Sequence, residues 1–284
     1  MQNRRSLAIW GDGAVGCGLA VTLSPLREII LVGPPGSGRG IVDVVSRGAY
    51  PGTATVSKVE STDRISADDS IIAVKAYHLE SVSGPASESS HGACICVCNG
   101  MGLERHWPGP PGRIEPVVLT AGFRTAGRLS VETFPGSVVA GAEGGAPSVF
   151  HGSPIPLRTV EDLEPVRWAK WIVNSTINPL GAITGLANDM LLESGLEECM
   201  ELLYSELVSA VPVESREEAG GESLSMLREL MLSSSNMCSM LQDVQAGRMT
   251  EIDYLTGLAA DDPTTERPAC KCVTGLVRAL GRRG

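Results

Sequence analysis

Three glycines immediately behind a short apolar run restrict what this chain can fold into more than any other feature. Ser6–Trp10 reads as a buried strand. Gly11-Asp12-Gly13-Ala14-Val15-Gly16 follows at once, and residues 17–23 are apolar enough to continue as a helix. In a strand–turn–helix unit, Gly11 permits the tight turn, Gly13 lets backbone approach a pyrophosphate, and Gly16 lets the helix lie close on the strand. The helix N-terminus offers oriented N–H groups and partial positive charge to the phosphates. Residues 28–32 form a second buried strand at βαβ spacing. The pattern predicts a dinucleotide site. In a chain with 33 glycines, the competing reading is a purely structural turn.

The pattern extends along the first half. Residues 70–74 and 93–98 are apolar runs of the kind that form central parallel strands. Residues 117–121, 129–133 and 138–140 read as later strands, residues 34–40 as a loop, and the polar, small stretch 83–92 as a loop or helix end. Past residue 160 the periodicity becomes helical, over 166–174, 188–208, 224–246 and, more weakly, 273–280. Leu196, Met200, Leu203 and Leu207 recur as one helix face requires. The expected architecture is α/β: a Rossmann-type dinucleotide-binding domain over residues 1–162, then an all-helical domain over 163–284 that carries substrate and catalysis.

At 284 residues such a chain can bury a full core without disulfides or metal. A net charge of −10 disfavours a nucleic-acid binder, which needs a basic face. No run of ~20 apolar residues is present, so no transmembrane helix is expected. The short apolar stretch near the N-terminus is too brief for a secretory signal, which points to the cytoplasm. The eight cysteines are then free thiols. Cys94, Cys96 and Cys98 alternate, so a strand puts them on one face as small hydrophobes rather than as a metal site; no metal is expected.

An acid closing the second strand would select NAD by binding ribose hydroxyls, and a base would select NADP. That strand ends in Val32-Gly33-Pro34-Pro35, with Arg39 the nearest base. This leans toward NADP, unless Arg39 is only a solvated loop residue. In the second half Lys170, Asn174 and Asn178 are spaced by four. Each step drifts only ~40° around a helix, so all three share one side among apolar neighbours. They line a cleft, or else form a solvated stripe that caps the helix before Pro179. A lysine in such a cleft can act as an acid near neutral pH, and the amides can donate to and accept from a small polar ligand. Further on, Thr250 is placed to cap a helix, with Glu251 and Asp253 in its first turn.

Taken together, Gly11–Gly16, Val74-Lys75-Ala76-Tyr77, Asn99-Gly100-Met101-Gly102, Lys170-x-x-x-Asn174-x-x-x-Asn178-Pro179-Leu180, Asn188, Ser239-Met240-Leu241-Gln242-Asp243 and Thr250-Glu251-Ile252-Asp253-Tyr254 resemble the ketopantoate reductase family over roughly residues 7–257. The resemblance implies NADPH-dependent reduction of ketopantoate (2-dehydropantoate) to pantoate, in pantothenate and coenzyme A biosynthesis. It implies Lys170 as the general acid. Asn174, Asn178, Asn188 and Ser239 are implied as substrate-binding residues, and Asn99 as touching both substrate and cofactor. It further implies Lys75 as a cofactor contact and Glu251 as a carboxylate at the cofactor that helps position substrate. The partner is a small 2-oxo acid, and the assembly a monomer or homodimer.

Three departures stand out. No base follows the second strand directly. Phe123 occupies a place near the cofactor where the family usually has a small residue. Pro263 and Pro268 cut short the long helix expected after Glu251. The alternatives are a reductase of another branched 2-oxo acid, or a non-catalytic dinucleotide-binding redox sensor. Retention of Lys170, Asn174, Asn178 and Ser239 together favours an enzyme.

Overall fold

The computed structural model describes residues 4–108, 114–233 and 236–281. The chain divides into two compact units. One comprises Met1–Cys98 with Leu103–Leu163, and the other Asn99–Gly102 with Glu164–Gly284. Each closes around its own apolar cluster.

In the sheet unit the strands are β1 (Ser6–Trp10), β2 (Glu28–Gly33), β3 (Gly40–Gly48), β4 (Gly52–Glu60), β5 (Asp69–Ile72), β6 (Cys94–Cys96), β7 (Glu115–Pro116), β8 (Val118–Leu119), β9 (Gly122–Gly127), β10 (Ser130–Phe134), β11 (Val138–Gly141) and β12 (Leu157–Val160). The helices are α1 (Ala14–Leu23), α2 (Leu79–Ser89) and α3 (Ala146–Phe150). Nine strands form one sheet in the order β7-β6-β5-β1-β2-β4-β3-β10-β9, and β12-β11-β8 form a smaller one. The six strands from β7 to β4 run parallel. Leu7, Ala8 and Ile9 of β1 are fully buried, as a parallel strand covered on both faces demands. From Gly16 onward every residue of α1 is buried, because β3, β4, β9 and β10 also lie against it.

Two details of the sheet unit go beyond the sequence pattern. Residues 40–60 form the antiparallel β3–β4 pair. In β4, Ala54, Val56, Lys58 and Glu60 point inward and alternate with more exposed residues. Of the two readings of residues 83–92, loop or helix end, the second holds: α2 runs to Ser89. Its buried Ser83, Ala86, Ser87 and Ser89 let it lie close to β5. All eight cysteines are free, with Cys94 and Cys96 buried in β6. Cys98 lies beyond the strand and donates to the Val74 carbonyl (3.1 Å).

The second unit is helical: α4 (Glu164–Thr184), α5 (Glu197–Ala210), α6 (Val213–Ser233), α7 (Ser239–Gln245), α8 (Thr256–Ala260) and α9 (Pro268–Gly281), with 3-10 turns at Asn188–Leu191 and Ile252–Tyr254. The single helix expected over 188–208 is broken, with Gly195 in the left-handed region (φ +73) just before α5. The helix expected over 224–246 is instead α6 and α7; residues 234 and 235 of that span lie outside the described residues. Met200, Leu203 and Leu207 are buried on the inner face of α5, with Leu196 packed beside them. After Glu251 the chain makes only a 3-10 turn and the short α8 before Pro263. Thr250 caps nothing: the residue before the turn is Glu251, and no side chain caps it. No described helix is long and apolar enough to cross a membrane.

Burial pushes the thiols of Cys17 and Cys270 from 9.0 up to about 12, with Asp12 adding to the effect at Cys17 and Glu206 at Cys270. The folded state therefore keeps these protons where the unfolded chain loses them. The associated stability is fully present below pH 9 and is lost as pH rises toward about 12. Urea midpoints should fall from pH 9 upward, and the fall should be shallower in a Cys17→Ala/Cys270→Ala variant than in the parent.

Candidate active site

The glycine turn packs backbone on backbone. Gly11 has φ +124, and a Cβ there would lie 2.5 Å from the Ala73 carbonyl oxygen. A Cβ on Gly16 would lie 1.7 Å from the Gly11 carbonyl oxygen. Neither position admits a side chain. Gly13 differs, because a Cβ there would meet nothing within 4 Å. Gly13 also precedes α1 as its N-cap, with no side chain satisfying the first-turn N–H groups. Open space before an uncapped helix start, flanked by Asp12, Ala14 and Val15, fits a pyrophosphate.

Lys75 lies two residues past Ala73, at the start of the 3-10 turn Ala76–His78, so it emerges beside the glycine turn. Phe123, on β9, packs instead against Gly18 further along α1, where a Cβ would meet its ring carbons at 2.3 Å. The Arg39 guanidinium is committed to carboxylates, with Asp63 at 2.8 Å and Glu60 at 2.9 Å. The Arg39 hydrogen bonds hold the Asp63 carboxyl below its usual range.

The sequence pattern did not single out Lys58. Its side chain is 4% exposed, and its Nζ lies 2.8 Å from the Asp12 carboxylate and 2.8 Å from the Ser37 carbonyl. Asp12 in turn sits over Gly33 at the end of β2. A cavity of about 470 Å³ opens here, lined by Asp12, Gly13, Ser37 and Lys58 together with the β9–β10 hairpin. The available signal was a lysine at an inward position of the β4 alternation, in register with Leu31.

The helical unit gathers every residue implicated in substrate binding. Its centre is α4. Between Ala169 and Ala182 of this helix only Lys170, Asn174 and Asn178 are partly open; all other positions are buried. The polar stripe is therefore the one accessible line on this stretch, with Ile172, Val173 and Ile177 packed away from it.

Pro179 has no N–H to give the Ser175 carbonyl, its partner one turn back. The Thr256 hydroxyl donates to that carbonyl instead (2.8 Å). This ties the segment after the buried Glu251 to α4. One residue earlier, the Asn178 carbonyl accepts from the Cys238 thiol (3.4 Å), which brings the start of α7, and so Ser239, to the stripe. The Asn188 N–H donates to the Asn236 carbonyl (3.1 Å), and the buried Asn188 Oδ1 has no partner among the described residues.

Asn99 arrives from the other half of the sequence. The Met101 N–H donates to the Tyr254 carbonyl (3.3 Å), and a Cβ on Gly100 (φ +103) would meet Tyr254 at 2.8 Å. These contacts hold Asn99–Gly102 in the helical unit, where Met101 joins the core. A contiguous boundary near residue 162 is corrected to that extent. Asn99, Lys170, Asn174, Asn178, Asn188, Ser239 and Glu251 thus share one unit, while Gly11–Gly16, Lys75 and Phe123 share the other.

Comparison with known proteins accords with this division. Residues 162–280 match the family model described as Ketopantoate reductase PanE/ApbA C terminal. The 2-dehydropantoate 2-reductase of Pyrobaculum aerophilum is 28% identical over 67% of this chain and 69% of its own length. That of Archaeoglobus fulgidus is 27% identical over 67% and 68%. These matches support the ketopantoate reductase family for this chain. They likewise support an oxidoreductase. The crystal structure of a ketopantoate reductase from Ralstonia eutropha shares its fold with a TM-score of 0.80 at 22% identity, covering 98% of this chain and 99% of that one. D-mandelate dehydrogenase, crystallised with NADH and anilino(oxo)acetate, follows with a TM-score of 0.77 at 21% identity over 98% and 99%.

The glycine geometry separates two otherwise similar substitutions. Gly16→Ala drives a methyl into backbone and should destabilise by more than ~3 kcal/mol or abolish soluble folding. Gly13→Ala enters open space and should stay within about 1 kcal/mol of the parent in urea melts.

Proposed function

We propose that this protein reduces ketopantoate to pantoate with NADPH, in the supply of pantothenate and coenzyme A. The single observation that carries this reading is the α4 stripe. On a stretch of helix otherwise fully buried, the accessible positions are a lysine and two asparagines. The ties from Thr256 and Cys238 deliver a carboxylate segment and a serine to the same helix.

When bound, the reduced nicotinamide supplies a hydride for the ketone carbon. The chain's part is to hold the substrate and manage charge. Lys170 hydrogen-bonds the ketone oxygen and gives its proton as alkoxide character develops. Asn174 and Asn178 can each donate and accept, which suits the hydroxyl and carboxylate of a branched 2-oxo acid. Ser239 adds a hydroxyl, and the Asn188 Oδ1, without a partner among the described residues, adds an acceptor. Asn99 completes the substrate contacts, and Glu251 orients the substrate from a buried position. The glycine turn and Lys75 hold the pyrophosphate and adjoining ribose. We place the enzyme in the cytoplasm.

A second reading is reduction of another branched 2-oxo acid. The likeness to D-mandelate dehydrogenase favours keeping it, since one fold serves several oxo acids. Loss of reduced-nicotinamide absorbance with ketopantoate, set against other branched 2-oxo acids, decides between them. Lys170→Ala should lower kcat ~100-fold or more, with dinucleotide binding and melting behaviour retained. Normal turnover in that folded variant would remove Lys170 from the chemistry.

A further inference from the structure

The segment that carries Glu251 has little of its own to hold it in place. After the turn at Ile252–Tyr254 comes α8, five residues long, and Pro263 follows soon after. A helix of that length does not persist on its local hydrogen bonds. Its position must come from its neighbours. On the inner side Leu255 and Thr256 are buried, and the Thr256 hydroxyl holds the Ser175 carbonyl. The exposed side is held by a residue from the far end of the chain.

That residue is Arg278, in the last turn of α9. Its Nε donates to Oδ1 of Asp253 (2.8 Å), and its Nη2 lies 2.7 Å from the same oxygen. Nη1 (3.2 Å) and Nη2 donate to the two oxygens of Asp261. Asp253 precedes α8 and Asp261 directly follows it, so one guanidinium clasps both ends of the short helix. The bonds to Asp261 and then to Asp253 raise the pKa of the guanidinium above its ordinary value, so the clasp stays charged. A Cβ on Gly257 would lie 2.8 Å from the Ile252 carbonyl oxygen and 3.5 Å from Nη2 of Arg278, so turn, helix and guanidinium close on one another. The base of the clasp is firm. Cys270, Val273, Thr274 and Val277 of α9 are buried, and the Glu206 carboxylate accepts from the Ala269 (3.1 Å) and Cys270 (2.9 Å) N–H groups.

Exposed ion pairs contribute little to stability. A planar guanidinium fork shared by two carboxylates contributes direction instead. The turn it holds carries the buried Glu251 two residues before Asp253 and, one residue after it, the Tyr254 carbonyl that accepts from the Met101 N–H. We infer that Arg278 is a positioning residue for the reaction: through Asp253 it fixes the turn that presents Glu251 to the substrate and anchors Asn99–Gly102. The inference rests on the functional reading above and deepens it. In place of the long helix that Pro263 and Pro268 interrupt, the C-terminal helix sets the register of the Glu251 segment.

Steady-state kinetics with ketopantoate and other branched 2-oxo acids, beside dinucleotide titration of the same intact variants, tests this. Arg278→Ala should lower kcat/KM about tenfold, since small misplacements of an orienting group are costly. Its dinucleotide Kd and melting midpoint should stay close to the parent's. Asp253→Asn should reproduce the loss, and the double variant should be no worse than either single one, because both remove the same tie. Lys271→Ala, which breaks an exposed pair with Glu266 on the same helix, should leave kcat/KM unchanged. Parental kcat/KM in Arg278→Ala, losses that add in the double variant, or a dinucleotide affinity that falls in step with kcat/KM would overturn the positioning role alone. If Arg278→Ala does not fold, Asp253→Asn carries the test, and parental kcat/KM there overturns the role. A parent that turns over no branched 2-oxo acid would overturn the functional reading together with it.

Discussion

The sheet unit depends on two places where backbone meets backbone with no room for a methyl group. Gly16 lies against the Gly11 carbonyl, and Gly11 against Ala73. These contacts fix how closely α1 approaches β1 and β5. They leave the helix start uncapped, with open space at Gly13. Local charge then overrides the global balance. An acidic chain presents a helix terminus, a buried lysine and an arginine with no ion pair among the described residues to the same small volume.

In the helical unit the corresponding element is α4, whose inner proline has a constructive effect. A proline within a helix removes a donor and strands an acceptor. Here the stranded Ser175 carbonyl captures Thr256, which is 81 residues away in sequence. The neighbouring Asn178 carbonyl captures Cys238. Both ties end on the helix that bears Lys170, Asn174 and Asn178, so polar residues scattered over the sequence are drawn to one face. The cost of an irregular helix is offset by the register it imposes on its neighbours.

Signals confined to a few residues were legible in the sequence. The glycine spacing behind Ser6–Trp10 and the four-residue repeat of the α4 stripe each express one turn of local geometry. What escaped depends on pairing between distant segments. Lys58 reads as an ordinary polar residue until β4 is set beside β2. The serines of α2 left loop and helix end open, because nothing nearby in sequence says they face β5. Asn99–Gly102 follow a strand in sequence, and only Tyr254 reveals which unit they belong to. The Arg39 lean toward NADP came from proximity in sequence, but Asp63 and Glu60, brought in by folding, occupy that guanidinium.

The tetrapeptide Asn99–Gly102 has a bearing on how such a protein can be cut or recombined. A fragment ending at residue 163 would keep its sheet yet carry an apolar methionine and a left-handed glycine whose partner, Tyr254, has been removed. A chimera that exchanges the helical half with a relative's must move those four residues as well. Inheritance of the two halves is therefore interleaved, and a single crossover near the obvious junction would separate an asparagine from the surface that gives it meaning.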